Sequence, residues 1–130
     1  MKIVIAIDSF KGSMSSMEAG LAARDGILKV IPAAKVVVKP LADGGEGTTD
    51  ALIEGLSGEE IRISVKGPYG ECVGAHYGMI RETRTAVMEM AEASGITLSD
   101  RRDPMSATTY GVGEMIKDAM DRGCRDFIIG

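Results

Sequence analysis

Three loops rich in glycine, hydroxyl and carboxylate groups hold most of the residues in this chain that could do chemistry. The densest is Ala42-Asp43-Gly44-Gly45-Glu46-Gly47-Thr48, which carries three glycines in four positions. Such glycines let backbone amides approach a ligand closely, and a helix start behind them offers unpaired N–H groups and a positive dipole end to an anion. Asp43 and Glu46 place two carboxylates in the same loop. Beside a phosphate, acids of this kind work through Mg²⁺ or as a base toward a hydroxyl. The plainer reading is a tight turn whose acids cap the following helix. The glycine density exceeds what a turn needs, so a ligand-binding loop is the expectation.

The second loop is Asp8-Ser9-Phe10-Lys11-Gly12-Ser13. Lys11 could neutralise a phosphate or a substrate carboxylate, with Asp8 and Ser9 beside it, or the loop could be a capped turn with a solvated lysine. The third, Ser106 to Glu114, sets Thr108 and Thr109 at another helix start with glycines following; N-capping by Ser106 or Thr108 explains much of it. His76 is the only histidine and falls in an alternating strand, where a structural role is expected. Glu89 and Glu92 read as a strand-to-helix junction. With no histidine or cysteine clusters, a zinc site is not expected. There is no GxxxxGK[ST] run, and Gly111-Val112-Gly113 meets Ile116 where a dinucleotide fingerprint needs its third glycine.

The elements that must position these loops can be read from periodicity. Residues 2–7 are a continuous apolar run suited to a strand buried on both faces. Ser15 with Glu18 makes a capping-box pattern, helical spacing follows, and Pro32 ends it. Val36-Val37-Val38 is a second strand, so the chain opens as a parallel βαβ unit whose strand ends would bring Asp8, Lys11, Asp43 and Glu46 to one crevice. A helix through about Leu56 follows, with Leu52 and Leu56 as its inward pair. Residues 61–65, 73–79 and 85–90 then read as an antiparallel meander. Val112, Met115, Ile116, Ala119 and Met120 make an amphipathic helix with Gly123 at its C′ position, and Phe127-Ile128-Ile129 is a last short strand. The fold class expected is α/β: a partial Rossmann- or flavodoxin-like parallel sheet formed by 1–57 and 105–130, with 58–104 belonging to an inserted second α/β region that contains the meander.

Composition narrows the partners. The net charge of −4 and the absence of a basic tail argue against nucleic acid. Three Tyr, two Phe and no Trp are too few for a base-stacking platform. The first apolar run stops at Asp8, too short for a signal-peptide core, and no run approaches membrane-spanning length, so a cytoplasmic protein with no membrane partner is expected. Cys72 and Cys124 lie in unrelated contexts and read as free thiols.

Four segments together resemble one family. Asp8 to Ser13 is similar to its "DSFKGS" signature, Pro40 to Thr48 to "PxADGGEGT", Val87 to Gly95 to its "EMAxASG" segment, and Thr109 to Glu114 to "TYGxGE". The family is that of the bacterial glycerate kinases, and the motifs occur in its order across the whole chain. One departure is Ile7, where a proline usually precedes the first Asp. The resemblance implies a two-domain α/β kinase that transfers a phosphoryl group from ATP, with Mg²⁺, to D-glycerate, usually at the 2-hydroxyl, in a cleft between domains. Under this reading Asp43 is expected to be the catalytic, base-like or metal-linked acid, with Glu46 as a further Mg²⁺ ligand. Gly44, Gly45 and Gly47 would supply amides, and Ser9 with Lys11 would grip an anionic group. The family's next motif, "GGSATNDGG", is not in the chain, so an N-terminal portion inactive by itself is expected. Unpaired strand edges leave a homodimer open as an assembly. Two other readings stand beside this one. The first is a free-standing nucleotide- or anion-binding module of the same ancestry; the second is a regulatory domain that pairs through a sheet edge.

Overall fold

The computed structural model describes residues 1–10 and 13–130; Lys11 and Gly12 lie outside the described residues. The chain opens with β1 (Lys2–Ile5), α1 (Ser16–Val30) and β2 (Lys35–Val38). β1 and β2 pair in parallel, from Lys2 opposite Lys35 to Ile5 opposite Val38. α1 starts where the sequence says it should. The Ser15 hydroxyl accepts the Glu18 amide at 3.2 Å, and the Glu18 carboxylate accepts the Ser15 amide at 2.8 Å. It ends at Val30, just short of Pro32, which has no N–H to continue it.

A second sheet holds β3 (Glu59–Lys66), β4 (Cys72–Ile80), β5 (Thr85–Met88) and β6 (Asp126–Ile129) in the order β3-β4-β5-β6. The first three form the expected antiparallel meander. The expectation that 105–130 returns to the first sheet is corrected here. β6 lies parallel to β5, from Thr85 opposite Asp126 to Met88 opposite Ile129. The boundary at residue 104/105 therefore falls inside one hydrogen-bonded body. Three apolar residues identify a strand but carry no information about which edge it joins.

Alternation along β4 separates two faces. Ala75, Tyr77 and Met79 face a core completed by α4 (Tyr110–Asp121) through Val112, Met115 and Ala119. Met120, expected on the inner stripe, is exposed. α4 begins tight against the end of β3: a Cβ on Gly111 would lie 2.0 Å from the Lys66 carbonyl oxygen, so only glycine fits. The opposite face, with His76 and Gly78, receives α2 (Thr48–Leu56). There Ile53 is the packing residue; a Cβ on Gly78 would fall 2.5 Å from its Cγ1. Leu56, expected to point inward, is exposed, because α2 packs on β4 and β5 rather than along β1 and β2. α3 (Ala91–Ser94) is a single turn directly after β5. Both cysteines are free thiols, Cys124 buried and Cys72 exposed.

Candidate functional site

The glycine loop is held by a residue from the other sheet. α2 has Gly47 at its N-cap, in the left-handed region at φ +89°, and no side chain of its own segment caps it. Glu89, immediately after β5 and almost fully buried, supplies the cap instead. Its Oε1 accepts the Gly47 amide at 3.0 Å and its Oε2 the Thr49 amide at 2.9 Å. The Gly45 amide donates to Asp43 Oδ1 at 3.1 Å. Two of the three glycine amides expected to face a ligand are therefore already donating within the protein. Asp43 and Glu46 are exposed, their side chains open to a ligand.

The end of β6 closes on the same place. Gly130 donates to the Met88 carbonyl at 2.9 Å and accepts the Met90 amide at 2.8 Å, bracketing Glu89. A Cβ on Gly130 would lie 2.4 Å from the Gly44 carbonyl oxygen. The glycine loop and the carboxyl ends of β5 and β6 thus meet. In open α/β sheets that edge is where ligands bind.

Beside this junction is a cavity of about 480 Å³, within the range of small-molecule sites. Ser9 and Phe10 wall it from the first loop, Glu46 and Gly47 from the glycine loop, and Glu89 and Glu92 from the second sheet. Ser16 holds the first wall: its hydroxyl donates to the Ile7 carbonyl at 2.5 Å and accepts the Leu41 amide at 3.0 Å, tying the ends of β1 and β2 together. Of the predicted site residues, the structure brings Ser9, Glu46 and Gly47 into this cavity. Asp8, Asp43, Gly44 and Gly45 do not line it. Asp8 accepts the neighbouring Ser9 amide at 2.6 Å. Thr108 and Thr109 lie elsewhere, at the start of α4, where the Thr108 hydroxyl accepts the Tyr110 amide at 3.1 Å and its own amide donates to the Pro68 carbonyl at 2.8 Å. These bonds tie the residue before the α4 N-cap to the helix start and to the turn after β3. Lys11 lies outside the described residues.

The cavity is acidic. Five carboxylates line it, from Glu46, Asp50, Glu54, Glu89 and Glu92, and none of its described lining residues is cationic. Just behind Asp50 and Glu92 sits His76. Its Nε2 is 3.0 Å from Asp50 Oδ1 and its Nδ1 is 2.8 Å from Glu92 Oε2. The hydrogen bond to Glu92, outweighing burial, and the charges of Glu92 and Asp50 raise the imidazole to about 9, so it is a cation at neutral pH. Burial pushes the Glu92 carboxyl up, but its bonds to the His76 ring and backbone amide prevail and hold it below the usual carboxylate value. Through these two contacts His76 links β4 to α2 and α3. No cue within its own strand announces the two partners.

Among the described residues no group of three or more His, Cys, Asp or Glu side chains could hold a metal ion. Mg²⁺ does not ask for such a cage; it takes one or two carboxylates and completes its octahedron with phosphate oxygens and water. Two exposed acids in one loop, Asp43 and Glu46, fit that requirement.

Fold and site together define a mixed α/β protein whose glycine-and-acid loop lies over the carboxyl ends of parallel strands. The profile of the glycerate kinase family matches residues 3–130, and the chain belongs to that family. It is 48% identical to a glycerate kinase of Bacillus subtilis (strain 168), over 100% of this chain and 35% of the relative. It is 45% identical to a glycerate 2-kinase of Escherichia coli (strain K12), again over 100% of this chain and 35% of the relative. A crystal structure of a protein assigned as glycerate kinase 2 in Salmonella typhimurium LT2 superposes with a TM-score of 0.79 at 44% identity, covering 100% of this chain and 35% of the other. The chain thus spans about a third of the length of these relatives.

Proposed function

We propose that the protein carrying this chain phosphorylates D-glycerate with ATP, giving 2-phosphoglycerate. The observation that supports this best is the meeting of the Asp43–Thr48 loop with the ends of β5 and β6 beside an open cavity, in a member of the glycerate kinase family. Phosphoryl transfer needs little covalent help; positioning and charge compensation do most of the catalysis. In this reading Asp43 is the catalytic carboxylate, with Asp43 and Glu46 as the acids available to Mg²⁺. The ion would neutralise charge building on the transferred phosphoryl group. Ser9 and Lys11 hold an anionic group of substrate or nucleotide. An acidic cavity repels glycerate unless cations offset it, which makes Lys11, in sequence between the lining residues Phe10 and Ser13, the first candidate. Of the expected amide donors, Gly44 is the one with no acceptor among the described residues. Asp8, Thr108 and Thr109 drop to supporting parts.

The reading extends to the architecture. The first sheet belongs to one lobe, the second to another, and the cavity lies at their seam. No described helix is long and apolar enough to cross a membrane, and we assign the protein to the cytoplasm as a soluble enzyme, with a homodimer through free strand edges as the assembly to test. The test is coupled ADP release by the full-length protein with D-glycerate and ATP–Mg²⁺, the product identified by NMR. Saturable turnover giving the 2-phosphate is expected. No turnover with glycerate, or the 3-phosphate as product, would overturn the reading or its regiochemistry respectively.

A further inference from the structure

Glu89 is a buried carboxylate with no cation among its hydrogen-bond partners; both of its oxygens are spent on backbone amides 40 and 42 residues away in sequence. A charged group in such a place is costly unless it is fully bonded, and here the N-terminal amides and dipole of α2 provide the compensation. The arrangement does more than cap a helix. Gly47 can take its φ of +89° because it is glycine, and the Glu89 bond selects that conformation from those open to it. Gly44 and Gly45 hang from the same point. Gly130, bonded on both sides of Glu89, leaves room for the Gly44 carbonyl only because it has no Cβ. One side chain therefore sets the height of the glycine loop above the ends of β5 and β6. It also occupies the helix N-terminus that would otherwise be the first place for a phosphate.

We propose that Glu89 is the positioning residue of the phosphate-handling loop: by capping α2 from the other sheet it fixes the Asp43–Gly47 segment in its working conformation and directs an incoming phosphate away from the α2 N-terminus. This rests on the phosphoryl-transfer reading above. Glu89 touches no reacting atom in this scheme; its effect passes through the loop.

The experiment is Glu89→Gln in the full-length protein. The amide side chain has nearly the same shape but turns one acceptor into a donor, so the Gly47 and Thr49 amides cannot both be satisfied. With glycerate and ATP–Mg²⁺, kcat/KM should fall roughly a hundredfold, the scale of about 1 Å of misplacement at a reacting centre, with ATP KM and kcat both changed while glycerate binding, followed by calorimetry, moves little. A folded variant with lower Tm but kcat/KM within about twofold of wild type would make Glu89 a purely structural cap and sink the proposal. If wild type itself has no turnover, the kinase reading fails. Amide exchange in the wild-type protein then decides this proposal by itself, as it also does if Glu89→Gln does not fold. Slow exchange at Gly47 and Thr49, retained when inorganic phosphate or ATP–Mg²⁺ is added, is expected. Fast exchange, or a phosphate-induced shift centred on these two amides, overturns it.

Discussion

At Asp43 one carboxylate oxygen accepts the Gly45 amide at 3.1 Å, while the side chain stays exposed. Asp43→Asn keeps an acceptor for that turn and removes only the charge, so it separates chemistry from folding. The full-length enzyme carrying it should lose at least about a hundredfold in kcat, the range for a lost general base or metal-linked acid, with an unchanged melting curve. Retention of more than about a tenth of wild-type kcat would take Asp43 out of the chemistry. Lys11 belongs to the same charge problem from the other side. Against five lining carboxylates, an anionic substrate needs a local cation. Lys11→Met is expected to weaken binding of glycerate or ATP by about 1.5–3 kcal/mol, the worth of a charge-assisted hydrogen bond. Steady-state KM for each substrate reads this out, and no change in either would reduce Lys11 to a solvated side chain. Gly45, grouped in the sequence with its neighbours, differs from them in backbone. Positive φ falls at Gly44 (+101°) and Gly47 (+89°), so these two positions tolerate substitution least.

Between elements, the chain uses side chains whose partners are far away in sequence, and this decides what could be read in advance. The α1 capping box lies within four residues and the α4 stripe within one helix, so both were legible as patterns. Glu89 looked like a junction residue because its own neighbours say only that; its amides are 40 and 42 residues distant. The partner of β6 is illegible in sequence for the same reason, since an apolar triplet fits any open edge. His76 shows what such non-local links do for stability. Asp50 from α2 and Glu92 from α3 both hold the imidazole of β4. Its value is raised from 6.5 unfolded to about 9 folded. The ion triad therefore contributes fully below about pH 6.5 and is lost as pH rises through about 9, a change of at most about 3 kcal/mol by linkage, which solvent at the exposed Asp50 reduces. Glu92, lowered in the fold, works in the opposite direction and only in acid, losing its contribution as pH falls below the ordinary carboxylate value. Chemical denaturation of wild type and His76→Gln from pH 6 to 9.5 should give curves that converge as pH rises. Parallel curves would mean that His76 is not charged in the fold.

On the scale of the whole molecule, the described surface leaves several large apolar side chains uncovered. Ile96 is 80% and Met105 93% exposed on the excursion between α3 and α4, and Ile128 and Ile129 of β6 are 45% and 49% exposed at the open edge of the second sheet. An open edge with apolar faces accepts another strand readily. The relatives carry about two thirds of their length beyond what this chain matches. The cavity, too, has its acids and its glycine loop but no cation among its described lining residues. Phosphoryl transfer depends on excluded water and on reactants fixed to within about an ångström. A protein made of these 130 residues alone is therefore expected to give no ATP-dependent phosphorylation of glycerate. Added to a separately expressed polypeptide matching the rest of a relative, it should recover part of the turnover as the open edge and the exposed Ile and Met side chains are covered. The paired measurement is coupled ADP release from each piece and from the mixture. Turnover in the usual enzyme range of about 1–10³ s⁻¹ from the 130-residue protein by itself would mean that its acids and glycine loop already form a complete site.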